Sequence, residues 1–320
     1  RKIGSDYARC RHHVPQRIQQ VERMVFMAAP SQKQSANTNA MTDKHKITLV
    51  PLGGLANRLR AIISGYELAK ATNLSFDVVW LKNKDLNCPF GYLFRPMGHG
   101  ITFIESPKID SLIKYNIPLK RNFYLPAIYQ HRHFTRRLYD TDIEKLRDNA
   151  EAIKSLVAGK NSYIASGLPF YPSNIFLFRE LFRPTDEITD EIKKRCSAFT
   201  TPTFGLHIRR TDNTVSIAES PITLFIQQIE QDLKKYPEAR FYLATDSEKI
   251  KERLRELFGN RILYSPCKAN RNSIEGMKEA VIELYTLANT NYFHGSYYSS
   301  FSDLAAILSD RPYDILRKEI

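Results

Sequence analysis

Long apolar runs are missing from this sequence. Nowhere do about 18 consecutive apolar residues occur, which excludes a membrane-spanning helix. Cysteine is scarce too: Cys10, Cys88, Cys196 and Cys267 lie far apart with no C-x-x-C pair. That spacing is poor material for a disulfide framework or a zinc site, and it reads as reduced thiols in a reducing compartment. No apolar h-region precedes a small-residue cleavage site, and the apolar stretch at 25–29 is too short to serve, so no signal peptide is read. A Gly-Lys-Ser/Thr phosphate loop is absent, which disfavours a P-loop phosphoryl or sulfuryl transferase. Signatures of the RRM, KH and helix-turn-helix nucleic-acid modules are absent as well.

What is present is a chain of 320 residues, 42% apolar and 11% aromatic, enough for two domains with a sizeable core. Charged residues make up 25%, the globular average, which argues against wholesale disorder. The formal net charge is +13. Residues 1–46 hold nine Lys or Arg against three Asp or Glu, so almost half of the surplus sits in the first seventh of the chain. A basic balance suits nucleic acid, an anionic membrane surface or a phosphorylated ligand, but a charge concentrated in a tail favours none of them over a solvated leader. Residues 1–45 are accordingly read as a loosely ordered basic leader, 46–184 as an N-terminal lobe and 185–320 as a C-terminal lobe.

The periodicity is that of an α/β protein. Strands are expected over 47–52, 74–80, 101–104 and 162–166, with helices over 57–72 and 142–156. After Pro184 a connecting helix over 185–199 leads into strands at 203–208, 240–244, 261–264 and 292–294. These alternate with helices at 222–236, 247–258, 276–289 and 300–308, the pattern of a parallel, doubly wound sheet.

In such sheets ligands bind beyond the carboxyl ends of the strands. After the first strand come Gly53, Gly54, Leu55, Ala56, Asn57 and Arg58. Two glycines let backbone approach a ligand, and the following helix N-terminus points N–H groups at it. The plainer alternative is a tight turn with Asn57 as helix cap. After the strand at 203–208 come His207, Ile208, Arg209, Arg210, Thr211 and Asp212. Alternation puts His207 and Arg209 on one side, so Arg209 stands at the strand exit, where a guanidinium can hold a phosphate and stabilise a departing diphosphate. Asp246 ends a further strand, suited to ribose hydroxyls or base N–H groups, or to capping the next helix. Hydroxyls converge with a helix N-terminus over the last, at 295–302, as a phosphate site requires.

The H-x-R-R-x-D run from His207 to Asp212 resembles the corresponding segment of α-1,6-fucosyltransferases and protein O-fucosyltransferases. The G-G-x-x-N-R loop from Gly53 to Arg58 is similar to one shared by O-fucosyltransferase-like enzymes and α-1,2-fucosyltransferases. The resemblance implies a GT-B architecture, two Rossmann-like lobes with a nucleotide sugar in the cleft. It also implies inverting transfer of L-fucose from GDP-fucose without a bound metal or other cofactor. By the same resemblance Arg209 grips the β-phosphate, while His207, Arg210, Asp212, Asp246, Glu283, Ser299, Ser300 and Phe301 contact the donor together with the Gly53–Arg58 loop.

One departure bears on the acceptor. The α-1,6 enzymes carry a Lys directly after the motif Asp and a Glu four residues further on, serving as base apparatus. Here Asn213 and Ile217 stand there, leaving Asp212 or the displaced Glu219 as candidate bases, or departure of the diphosphate to drive the reaction with little base help. The Asp140-Thr141-Asp142 sequence fits a D-x-D metal signature but precedes a helix, where Asp142 or Thr141 makes a cap, and it is read as structural. Phe90, Tyr92, Phe94, Tyr124, Tyr129, Phe170 and Tyr171 are read as core aromatics rather than sugar platforms. The expected partners are a nucleotide-sugar donor and an oligosaccharide or lipid-linked glycan, with no nucleic acid. The expected location is the cytoplasm, with the basic leader offering a peripheral contact to the inner face of the membrane. The rival reading is a basic phosphate-, RNA- or membrane-surface-binding α/β protein without transferase activity.

Overall fold

The strand β1 (Lys46–Pro51) buries five of its six residues. A strand of that kind belongs in the middle of a parallel sheet covered on both faces. The computed structural model places it there, and describes residues 45–105, 125–199, 202–309, 311 and 313–318. The expected leader, apart from His45, lies outside the described residues.

The first sheet contains β1, β2 (Ser75–Val79), β3 (Ile101–Ile104), β4 (Arg136–Tyr139) and β5 (Ser162–Ser166), in the spatial order β3-β2-β1-β5-β4. All its pairings are parallel, with Leu49 opposite both Val78 and Ile164. Its helices are α1 (Leu55–Thr72), α2 (Ala127–His133), α3 (Asp140–Leu146) and α4 (Ala150–Val157). Leu59, Ile62, Ile63 and Leu68 bury the core face of α1, and Asn73 ends it in the left-handed conformation at φ 54. The helix expected over 142–156 is two helices. Asn149 breaks it by capping the second one, its Oδ1 accepting the Ala152 N–H at 2.9 Å.

Helices α5 (Ile175–Leu181) and α6 (Asp186–Cys196) lead to the second sheet. It contains β6 (Thr203–Ile208), β7 (Arg240–Thr245), β8 (Ile262–Tyr264), β9 (Tyr292–Ser296) and β10 (Tyr313–Leu316), in the order β10-β9-β6-β7-β8 and again all parallel. The helices between are α7 (Thr214–Glu219), α8 (Ile222–Lys235), α9 (Glu248–Phe258), α10 (Ile274–Ala288) and α11 (Ser300–Ser309).

The largest apolar cluster runs through both halves, from Ile47 and Trp80 through Phe182 to Met277 and Leu304. Polar groups add ties between them. The Arg179 guanidinium donates to the Leu308 carbonyl at 2.9 Å, and Arg60 on α1 meets Asp303 on α11 at 3.2 Å. Both sheets reverse their direction of growth beside the central strand, between β1 and β5 and between β6 and β9. Those are the switch points at which open α/β sheets leave a crevice. Cys88, Cys196 and Cys267 are free thiols. Among the described residues no helix is long and apolar enough to cross a membrane.

Candidate active site

At the β6–β9 switch point a serine fixes where β6 ends. Ser296 Oγ donates to the His207 carbonyl at 3.0 Å and accepts the Arg209 N–H at 3.1 Å. The chain then folds around Asp246, which leaves the neighbouring strand β7. Asp246 accepts the Arg210 N–H at 2.8 Å, the Thr211 N–H at 3.3 Å and the Thr211 hydroxyl at 2.7 Å. It also pairs with Arg209 Nη1 at 2.8 Å. Burial alone would raise the Asp246 pKa. The Arg209 charge and the Thr211 and Arg210 donors outweigh it and hold the carboxyl below its ordinary range. Asp246 is therefore the ionised peg around which residues 209–212 wrap, a role that local sequence does not announce.

Arg209 also donates to Asp212, whose second oxygen is ion-paired with Arg271 Nη1 at 3.1 Å. One carboxylate thus lies between two guanidiniums. Arg210 is turned the other way. Its guanidinium donates to the carbonyls of Arg209 and Ser220, each at 2.7 Å, and burial lowers its pKa. Sequence reading placed Arg210 among the donor-binding residues, whereas the structure commits its side chain to backbone. Glu219 is held by Arg317 at 2.8 Å, and Lys318 N–H donates to its carbonyl at 2.9 Å. Beside it, Ser220 Oγ donates to the Leu316 carbonyl at 2.6 Å, so β10 tethers the segment that receives Arg210.

His207 is buried, with Nδ1 2.7 Å from Ser302 Oγ and its ring 4.8 Å from that of Phe301. Desolvation, aided by the Arg209 charge, pushes its pKa down to about 3, so the imidazole is neutral. It supports the start of α11 rather than titrating. Ser299 is buried and Ser300 opens α11. Glu283 on α10 is buried, and burial with the nearby Glu279 charge pushes its pKa up to about 8. At neutral pH it carries a proton that it can donate. Glu279 itself is engaged by both Nη atoms of Arg195, at 2.6 and 2.8 Å.

In the first sheet Gly53 adopts φ +75, the left-handed region glycine tolerates, and Gly54 is the extended N-cap of α1. The expectation of Asn57 as cap does not hold: no side chain caps α1, and Asn57 lies in its first turn. Arg58 is fully buried, its guanidinium donating to Gly53 O at 2.8 Å, Leu81 O at 2.5 Å and Asn83 Oδ1 at 3.0 Å. It pins the loop after β2. That loop carries Asn87, whose N–H donates to the Arg271 carbonyl at 2.9 Å and whose Nδ2 donates to the Asn272 carbonyl at 3.2 Å. The two strand-end loops are thereby joined in one network, Arg58 to Asn83, Asn87 to Arg271, and Arg271 through Asp212 to Arg209.

The D-x-D residues are occupied. Asp140 accepts from Ser166 Oγ at 2.7 Å and Gly167 N at 3.0 Å, while Asp142 accepts the Tyr139 N–H at 3.0 Å. Asp142 closes a capping box from the third helical position instead of standing at the N-cap, which Tyr139 occupies. No group of three or more metal-ligating side chains occurs among the described residues. Phe90, Phe94 and Phe170 are core and Tyr171 packs against it, but Tyr92 and Tyr129 are half exposed, contrary to their reading as core. Tyr124 lies outside the described residues. Sequence reading missed Arg271, and quoted Thr211, Ser296 and Ser302 only within their polar runs.

Two parallel five-stranded sheets, each switching direction at a polar strand end, define a GT-B architecture. No protein-family model matches the chain, and no curated protein matches it. Solved structures do. The chain is similar to NodZ α-1,6-fucosyltransferase soaked with GDP-fucose, at 18% identity and TM-score 0.58, over 83% of this chain and 93% of that one. It is similar to an Arabidopsis thaliana FUT1 mutant in complex with GDP, at 15% identity and TM-score 0.57, over 86% of this chain and 71% of that one. POFUT1 in its apo form matches at 13% identity and TM-score 0.54, over 87% of this chain and 99% of that one. The chain has the fold of these fucosyltransferases.

Proposed function

We propose that the chain is an inverting glycosyltransferase that moves L-fucose from GDP-fucose to a glycan hydroxyl. Residues 185–320 hold the donor and residues 46–184 face the acceptor. The observation that carries this reading is Arg209. It leaves the end of β6 at the switch point, braced by Asp246 and Ser296, with its guanidinium partly open to solvent. The acceptor oxygen bonds to C1 of the sugar as the C1–O bond to the diphosphate breaks, and GDP leaves. Negative charge builds on the bridging and β-phosphate oxygens, where Arg209 and the N–H groups at the start of α11 stabilise it. Protonated Glu283 is available as a hydrogen-bond donor to the nucleotide, and the Gly53–Gly54 turn lets backbone come close to the sugar.

The acceptor proton passes to Asp212. It is half exposed and paired with Arg209 at the end of β6, whereas the less exposed Glu219 is paired with Arg317 beside β10. No metal enters the reaction. The acceptor is an oligosaccharide or a lipid-linked glycan, met at the inner face of the membrane in the cytoplasm. Titrating the chain with GDP, UDP, ADP and short RNA in a thermal-shift assay tests the donor class. Stabilisation by GDP alone supports the reading, and stabilisation by RNA alone supports the rival phosphate-binding protein. Transfer of labelled fucose to an oligosaccharide library then tests the reaction, and sedimentation with anionic vesicles, with and without residues 1–40, tests the membrane contact.

A further inference from the structure

Three cations crowd the end of β6, and they are not equivalent. Arg210 is spent on two backbone carbonyls. Arg209 and Arg271 converge on the two oxygens of a single side-chain carboxylate, Asp212. A phosphate offers the same feature, adjacent anionic oxygens that two guanidinium forks can share. Asp212 is half exposed, and so is the Arg271 side chain. An entering dianion can therefore replace the carboxylate without unfolding anything. Arg271 comes from the loop between β8 and α10, far in sequence from Arg209. Its carbonyl is fixed by Asn87, in the loop that follows β2. Asn213, next to Asp212, cannot supply charge: it caps α7 through Oδ1 and donates to the Tyr298 carbonyl at 2.7 Å.

We infer that Arg271 is a second diphosphate-binding residue, which exchanges Asp212 for the β-phosphate when the donor enters. This deepens the GDP-fucose reading and rests on it. The exchange frees Asp212 beside the reacting carbon, so donor binding and release of the acceptor's base are one event. Asn87 holds the Arg271 backbone in place while the Arg271 side chain changes partner.

Calorimetric titration of the full chain with GDP and with GMP tests this, using the native protein, Arg271→Ala and Arg271→Lys. Loss of one charge-assisted contact to the β-phosphate should weaken GDP binding by about tenfold and leave GMP within about twofold. Lysine should recover part of the loss. An Arg271→Ala protein that binds GDP as well as the native chain, or loses GDP and GMP affinity equally, overturns the inference while leaving the donor assignment standing. A native chain that binds no GDP overturns the donor assignment and the inference with it. Urea unfolding of the variants reads out a purely structural role, which lowers stability but leaves the GDP-to-GMP ratio unchanged.

Discussion

Arg209 Nη1 and Asp246 Oδ2 stand 2.8 Å apart across the ends of adjacent strands β6 and β7. The pair is largely shielded from water, and the carboxylate has three further donors. Asp246 thereby sets the direction in which Arg209 points, and the two residues should fail differently. Arg209→Ala should fold and lose about 10²-fold in transfer rate, the scale of one lost transition-state contact. Arg209→Lys should rescue poorly, because an ammonium cannot replace the fork. Asp246→Asn should lose stability as well, by about 3 kcal/mol, since it leaves a largely shielded guanidinium with only the half-exposed Asp212 as counter-charge. Steady-state kinetics and urea melts separate the outcomes. Near-native turnover by either Arg209 variant would rule out the leaving-group role.

Metal chelation should be without effect. Asp140 and Asp142 are taken up by Ser166, Gly167 and Tyr139, and the proposed reaction places the diphosphate charge on Arg209, Arg271 and α11. Initial rates in EDTA should match those without it. A rate abolished by EDTA and restored by Mg²⁺ or Mn²⁺ would return the D-x-D residues to the reaction.

Glu283 gives the fold a pH dependence of known sign. In the native state its proton is held until about pH 8, whereas the unfolded chain releases it near the ordinary 4.5. Between those values the unfolded chain binds fewer protons, so the Glu283 contribution to stability falls as pH rises and levels off above about 8. Glu283→Gln removes this contribution. Relative to the native protein, the variant should gain stability steadily from pH 5 towards about 8. Parallel stability curves across that window would show that Glu283 is ionised in the folded protein.

Gly276 guards the loop that carries Arg271. A Cβ built on it falls 2.1 Å from the backbone oxygen of Asn270, and backbone cannot step aside as a flexible side chain can. Gly276→Ala should displace the loop, weakening GDP binding by about tenfold, comparable with loss of a charge-assisted contact, and lowering the melting temperature. Calorimetry and thermal melts check both. A variant with native GDP affinity would show the loop to be irrelevant to the nucleotide.

The interior strands β5 and β6 were readable because they are buried along their whole length, and both begin and end where periodicity puts them, as does the edge strand β3. Of the four sheet-edge strands, β4 and β10 were not readable. Arg136-Arg137-Leu138-Tyr139 and Tyr313-Asp314-Ile315-Leu316 carry charge that an edge tolerates and a periodicity argument discounts. At the site the distinction is one of direction. Arg58 and Arg210 have the residue type and the position of anion ligands, yet their guanidiniums turn inward to backbone carbonyls. Nothing local encodes that turn. Arg271 lies in a stretch without period, and only tertiary packing brings it to Asp212.

Strand β10 bears on how the protein is made. The carbonyl that accepts the Ser220 hydroxyl belongs to Leu316, 96 residues downstream, and the Ser220 carbonyl in turn accepts from Arg210. A nascent chain halted before residue 313 already contains the whole His207–Asp212 segment, but the clasp behind it has not been synthesised. The turn that follows β6 is thus completed only late in translation, and a chain terminated before residue 313 lacks the carbonyl that clasps it.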